Sequence, residues 1–417
     1  MGRALKYTTL AQWGLLSLFL SACATSVPPK PPVFRTYNCS CNNLPPPVPT
    51  APLVNVTPRG YYQSISYADL PSWPMGLSPN SWQSFLASCS KLINQPEWNT
   101  PCTNALQQPM SITLATQQAF FEAYLQPWQL TNEDRNPDGL ITGYYEPLLY
   151  GSLTRTQKYQ YPIYSQPQDI VTVDLGEVVP ELKGRRIRGR LEGNEVKPYY
   201  SRSEIEGDKQ PLKGHEIAWV DNEIDLFYLQ IQGSGRILLD NGQIMYVGYA
   251  DQNGHPFRSI ALALHSQYHI PLNQTSYHHV KAWAEKHPKA VRKLLAENPS
   301  YVFFKREPDN LAGPIGTLGV PLLPSSAIAV DQRVIPLGVP VFLSSTLPLS
   351  QEPWVQLVMA QDTGGAINGA VRADFFWGFG DEAEKMASAT KQKGRLWVLY
   401  PKGITPPQPL SEHSGYN

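Results

Sequence analysis

The stretch Gln361–Ala387, QDTGGAINGAVRADFFWGFGDEAEKMA, sets Asp362 and Asp374 around a Gly364–Gly365 turn, and Phe375, Phe376 and Trp377 follow the second acid directly. An Asp before Thr-Gly-Gly caps a turn through its short side chain. Asp362 therefore has a structural reading beside its chemical one. Asp374 differs: it closes a run that reads as a strand, with bulky rings next to it. A carboxyl among rings is poorly hydrated, which raises its pKa. A free Asp titrates near 3.9, so only about one in a thousand is protonated at pH 7. Raising that value by two to three units takes about 3–4 kcal/mol of burial or like-charge repulsion. Asp362 supplies the repulsion if the two side chains face each other.

Working outward, the composition narrows the ligand. The 417 residues carry 34 basic and 34 acidic side chains with no basic block, which argues against nucleic acid. Only 16% are charged, while Tyr (22), Trp (10) and Pro (40) are plentiful. A weakly charged, aromatic-rich surface suits a neutral, ring-shaped ligand such as a sugar, although Tyr and Trp also fill β cores. The length allows one large domain or two of medium size.

Other chemistries find no motif. Gln232-Gly233-Ser234-Gly235-Arg236 sits between strand-like runs and reads as a hairpin turn, without the helix N-terminus a phosphate needs. His265 and His269 are spaced for one helix face, but no Glu follows the first and no third ligand is evident, so no metal is expected. There is no nucleophile elbow, Walker loop or Cys–His signature, and no cofactor is implied. What remains is carboxylates beside aromatics: Asp331, Asp362, Asp374, Glu146, and the Asp221, Glu223, Asp225 run.

The chain opens with Arg3 and Lys6 before a short apolar run, a signal-peptide layout. Leu20-Ser21-Ala22-Cys23 resembles a bacterial lipobox, which makes Cys23 the lipidated residue and, with Ala24 next, implies the outer membrane facing the periplasm. The Pro-rich segment that follows reads as an extended tether, reaching on the order of 100 Å at roughly 3 Å per residue. Cys89 and Cys102 flank a turn and can pair; Cys39 and Cys41 are too close for a relaxed bond. Residues 78–126 read as helical, with capping Ser and Thr. Short β-like runs start at Gly139 and include EIAWVDNEIDLFYLQIQGSGRILL. Helices follow over about 255–297, and the last third returns to β. Many short strands argue for a barrel or sandwich and against a βαβ array.

DTGGAINGAVRADFFWGFGDEA resembles the 3D domain, named for three aspartates, here Asp331, Asp362 and Asp374. TGYYEPLLYGS, YYSRSEIE, VGYADQNGHPFRSI and NPSYVFF extend the likeness over roughly residues 110–400 to the membrane-bound lytic murein transglycosylase A family. The resemblance implies a mainly β fold with peripheral helices: a double-psi β-barrel with a smaller β-barrel inserted and a groove between them. The expected parts are signal peptide 1–22, tether 23–59, barrel 60–163 and 299–405, insert 164–298, and tail 406–417. It also implies cleavage of the β-1,4 bond between N-acetylmuramic acid and N-acetylglucosamine in peptidoglycan, leaving a 1,6-anhydro end. Asp374 matches the acid/base, Asp362 and Asp331 the supporting aspartates, and Thr142, Tyr144 and Tyr145 the groove lining. Gln230, Gln232, Gly364, Gly365 and Phe375 are further candidate glycan contacts. Expected partners are glycan strands and the outer membrane, with peptidoglycan synthases or scaffold proteins as candidates and a monomer as the assembly. Two other readings are a non-catalytic peptidoglycan-binding lipoprotein and a muramidase using Glu146 or Glu223 as second carboxylate.

Overall fold

The computed structural model describes residues 57–179, 182 and 187–411. The signal peptide, Cys23, Cys39 and Cys41, most of the tether and the tail beyond Ser411 lie outside them. The head comprises β1 (Thr57–Pro58), β2 (Tyr61–Ser64), α1 (Pro79–Leu92), α2 (Pro96–Leu106) and α3 (Leu114–Tyr124). The middle begins with β3 (Leu125–Thr131), β4 (Gly139–Glu146), β5 (Leu148–Ser152), β6 (Tyr161–Tyr164), β7 (Ile170–Val173), β8 (Ile187–Glu192) and β9 (Glu195–Pro198). It continues through α4 (Arg202–Ile205), β10 (Glu216–Val220), α5 (Glu223–Gln232), β11 (Ser234–Leu239) and β12 (Ile244–Gln252). Then come α6 (Ile260–Tyr268), α7 (Tyr277–Lys286), α8 (Pro288–Ala296) and β13 (Val302–Glu307). The last part holds β14 (Ala327–Val330), β15 (Pro340–Thr346), β16 (Pro353–Asp362), β17 (Arg372–Phe379), α9 (Asp381–Ala389), β18 (Lys391–Pro401) and β19 (Leu410–Ser411).

Pairing closes six of these strands into a ring, in the order β15–β16–β14–β17–β4–β18 and back to β15. The β14–β16 and β17–β4 pairs are parallel and the other four antiparallel. Closure leaves the ring strands without free edges. Period-two alternation turns Ile141, Ile328, Val330, Ala373, Phe375 and Leu396 into one buried core. Against the ring pack the helices of the head, burying Trp82, Phe85, Trp98 and Phe121. Ser78 and Thr113 cap α1 and α3 by accepting from the backbone N–H three residues on, as the sequence suggests. A disulfide joins Cys89 of α1 to Cys102 of α2; the segment between them is helical from Pro96 rather than a plain turn.

The second sheet has the order β13–β12–β11–β5–β10–β6, and a parallel bridge between Ser165 and Phe304 brings its two edges together. A three-stranded sheet, β7–β8–β9, accompanies it. Helices α5 to α8 share a further core of Ile224, Phe227, Leu264, Val280, Trp283 and Leu294. By sheet membership, β5, β13 and all of β6 but Tyr164 lie in this second sheet outside the expected 164–298 span. Only Pro147 separates β4 of the ring from β5 of the second sheet. The return runs through residues 308–326 between β13 and β14.

One strand expectation fails. Glu223–Gln232 lies in the middle of the expected β run but forms helix α5. Asn222 caps it by accepting from Ile224 N and Asp225 N, Glu223 and Asp225 sit in its first turn, and Gly233 ends it at φ +82°. The glycine-rich stretch after Gln232 is therefore a helix C-cap leading into β11, not a hairpin turn. The hairpin comes later, at the β11–β12 connection.

Candidate active site

Strand register builds the site. Asp374 of β17 lies opposite Thr142 of β4 on one side and Ala329 of β14 on the other. Ala329 in turn lies opposite Asp362, the last residue of β16. One row across four strands thus reads Thr142, Asp374, Ala329, Asp362. Neighbouring strands lie ~4.8 Å apart, so the two aspartates are about 10 Å apart at the backbone, with a methyl side chain between them. The same alternation that sends Ile141, Ala373 and Val330 into the core turns this row to the other face. There Tyr144, Phe376, Ala329, Leu322 and Ile367 form a small apolar bed around it.

Both acids are hemmed in on most sides yet keep an opening to solvent. Burial raises the pKa of Asp374; the bond donated by Thr142 and the charge of Arg372 lower it, and the charge of Asp362 raises it further. The Thr142 hydroxyl donates to Asp374 Oδ1 at 2.5 Å. Burial likewise raises the pKa of Asp362, against the bonds it accepts. Its Oδ1 takes the Thr317 N–H and hydroxyl, both at 3.0 Å, and its Oδ2 the Tyr144 hydroxyl at 3.0 Å. Thr317 belongs to the return segment and gives no signal in the sequence, where GPIGTLG reads only as loop. Arg372 was not among the sequence candidates, although its position two residues before Asp374, on the same strand face, was an available signal.

The other sequence candidates scatter. Asp331 follows β14 and is buried, but it does not join the pair. Its carboxylate accepts from Arg333 N, Nε and Nη2 and from Gly369 N, at 2.7–3.1 Å. Burial pushes its pKa up, but the bonds from Arg333 and the backbone outweigh that and hold it below the usual carboxylate range. It ties down the end of the loop that holds the Gly364–Gly365 pair, both exposed. Phe375 is corrected: it is fully buried on the core face, packed on Trp354 and Trp377, because alternation turns it away from Asp374. Phe376 holds the Asp374 face instead.

Tyr145 also faces away, toward Ala383, Ala387 and Trp377 under α9. Its backbone N–H donates to Gln232 Oε1. Gln230 is buried and accepts from the buried Arg202, which also bonds Asn298, Ser300 and Glu206. Glu146 is buried in an ion pair with Arg236 at 2.8 Å. Burial raises the pKa of Glu223, whose charged neighbours are Glu206 and Arg292. Neither glutamate is among the groups that act on Asp374. His265 bonds the Ile270 carbonyl, and His269 takes the left-handed cap of α6. A cavity of about 810 Å³ lies over β18 and β15 and is lined by neither Asp362 nor Asp374.

The MltA specific insert domain matches residues 140–305 and the 3D domain residues 326–400. Membrane-bound lytic murein transglycosylase A of Escherichia coli (strain K12) is 32% identical over 279 residues, 65% of this chain and 68% of that protein. The crystal structure of MltA from Neisseria gonorrhoeae superposes with a TM-score of 0.72 at 34% identity, over 84% of this chain and 93% of that one. E. coli MltA with bound chitohexaose superposes with a TM-score of 0.60 at 26% identity, over 82% and 94%.

Proposed function

The chain belongs to the membrane-bound lytic murein transglycosylase A family, and from that premise we propose that it cleaves peptidoglycan strands with Asp374 as its one recycled acid and base. The reading extends to a lipid anchor at Cys23 in the outer membrane. It takes the closed six-stranded ring as a double-psi barrel and the second sheet as an inserted barrel with a glycan groove between them. The E. coli relative with bound chitohexaose supports an amino-sugar chain as the ligand.

The observation that carries the mechanism is a carboxyl raised by burial, bonded by Thr142 and open to solvent. Protonated Asp374 gives its proton to the bridging oxygen as the C1–O4 bond between muramic acid and glucosamine breaks. The resulting carboxylate takes the C6 hydroxyl proton of the muramic sugar while O6 bonds C1. Water is neither added nor lost, and the product carries a 1,6-anhydro ring. General acid–base transfer contributes about 10²–10⁴ in rate, and closing a ring with the sugar's own hydroxyl adds proximity. Asp362 faces the same side and supplies negative charge to the cation-like transition state.

A hydrolase would need a second free carboxylate to activate water or attack the sugar. Glu146 is held by Arg236, and Asp362 accepts from three donors, which leaves neither free for that task. The test is digestion of purified murein by residues 24–417, followed by mass spectrometry. Products lighter by one water than hydrolysis gives, and absent with Asp374→Asn, are expected. Hydrated products would establish a muramidase instead, and a folded protein that binds strands without cutting them would be a binding module.

A further inference from the structure

The face that bears Asp374 continues across two more strand positions, and its residues are cationic. Lys391 of β18 lies opposite Thr142, extending the row of the aspartates. Two residues along each strand, the next row reads Lys393, Leu140, Arg372. Cross-strand partners point to one side of a sheet. Burial agrees: Leu140, Lys391 and Lys393 are exposed and Arg372 half-buried, while the intervening Ile141, Ala373 and Gln392 are buried. Leu140, an exposed apolar side chain, is thus ringed by three cations beside the acid site.

These charges are only partly compensated. Asp138 pairs with Lys393 at 2.7 Å and with Arg395 at 2.6 Å. Among the described residues neither Lys391 nor Arg372 forms an ion pair. Burial disfavours the charge of Arg372, with Asp374 acting the other way; its Nη1 donates to the Leu140 and Ala373 carbonyls. Lys391, Lys393 and Arg395 also line the cavity of about 810 Å³, outnumbering its two acids, Asp69 and Asp138, with Gln129, Ser344 and Thr346 beside them. That volume falls in the range of small-molecule sites. A cationic rim, an apolar centre and a polar recess together fit a carboxylate on a short, partly apolar arm.

We propose that Lys391, Lys393 and Arg372 around Leu140 form a subsite for the carboxylate-bearing substituents of the glycan strand, and that it makes the protein select substituted strands over neutral amino-sugar chains. The inference rests on the transglycosylase reading for the identity of the strand. Two sources offer the carboxylate: the lactyl group of the muramic sugar and the peptide attached to it. A single lysine–carboxylate contact at an exposed site contributes up to about 1 kcal/mol, roughly fivefold in affinity.

The test measures binding by the uncleaving Asp374→Asn protein, so its outcome does not depend on turnover. Three ligands are compared at low salt: peptide-bearing strands, the same strands stripped of peptide, and neutral chitohexaose. Both anionic strands, or the peptide-bearing strand alone, should bind about tenfold more tightly than chitohexaose. Adding Lys391→Glu with Lys393→Glu should remove that advantage and leave chitohexaose within about twofold; Lys391→Glu alone, which breaks no ion pair, should remove part of it. If stripped strands keep the advantage the lactyl carboxylate is read; if they lose it, the peptide is. Equal binding of all three ligands, a preference that survives the double variant, or an equal loss for all three would overturn the subsite. If the wild-type protein then cleaved no strand while the preference held, the catalytic reading would fall and the subsite would stand.

Discussion

At the residue scale the two aspartates are tuned by different neighbours, and this gives opposed expectations. Activity on glycan requires protonated Asp374, so the fall in kcat/KM at rising pH follows its pKa. Thr142→Val removes a donor that favours the carboxylate, and the limb should move to higher pH. Asp362→Asn removes a like charge, and the limb should move to lower pH. Shifts in one common direction, read from pH profiles of the two variants, would dismiss Asp374 as the titrating acid. Stability gives an independent check. The raised pKa means that the folded protein holds this proton more tightly than the unfolded chain does. The stability so gained is present below the unfolded value, about 3.9, and is lost as pH rises through the folded one. Asp374→Asn should therefore melt higher than wild type at pH 7, and the gap should close on acidification. Asp331 runs the other way. Its lowered pKa adds stability above about 3.9 that is lost on acidification through the folded value, and Asp331→Asn should cost about 1–3 kcal/mol at pH 7 in denaturant titration.

At the scale of elements, the pairing of β4 with β17 decides whether Thr142 meets Asp374. Gly143 has no room for a side chain: a Cβ there would lie 2.6 Å from Trp377 Nε1 and 2.9 Å from Thr390 Oγ1. Those two groups are bonded to each other at 2.9 Å, so neither yields freely. Gly143→Ala should lose about 1–3 kcal/mol by overpacking and reduce glycan cleavage, because Thr142 is the adjacent residue. Unchanged melting and activity would show that the strand shifts without strain. Much at this scale was legible. Ser78 and Thr113 announced their helices, and the Asp374 strand showed in VRAD. Helix α5 was hidden because Leu226, Phe227, Leu229 and Ile231 make an apolar run, and such a run has no period to tell helix from strand. The Asn222 cap and the Gly233 stop were the available signals. The side of Phe375 was hidden for another reason. Alternation fixes which residues share a face, but not which face meets the helices. Thr317 was beyond reach because its partner, Asp362, lies 45 positions away in the sequence.

At the scale of the whole molecule, helices α1 to α3 brace one flank of the ring, and the Cys89–Cys102 bond ties the first two together across 13 positions. A loop of that size contributes about 3 kcal/mol by restricting the unfolded chain. Reduction should lower the melting temperature clearly while kcat/KM at 25 °C stays unchanged, since no head residue bonds Asp374 or Asp362. A loss of activity without a loss of stability would tie the head to catalysis.

The chain crosses between the ring and the second sheet by two routes of unequal length, Pro147 and residues 308–326. The short one continues the strand that carries Thr142, and the long one carries Thr317. Asp374 is therefore held from the short crossing, through Thr142, and Asp362 from both, since Tyr144 of the same strand donates to it beside Thr317. A displacement of the second sheet carried along β4 would tug both carboxyls at once, Asp374 through Thr142 and Asp362 through Tyr144.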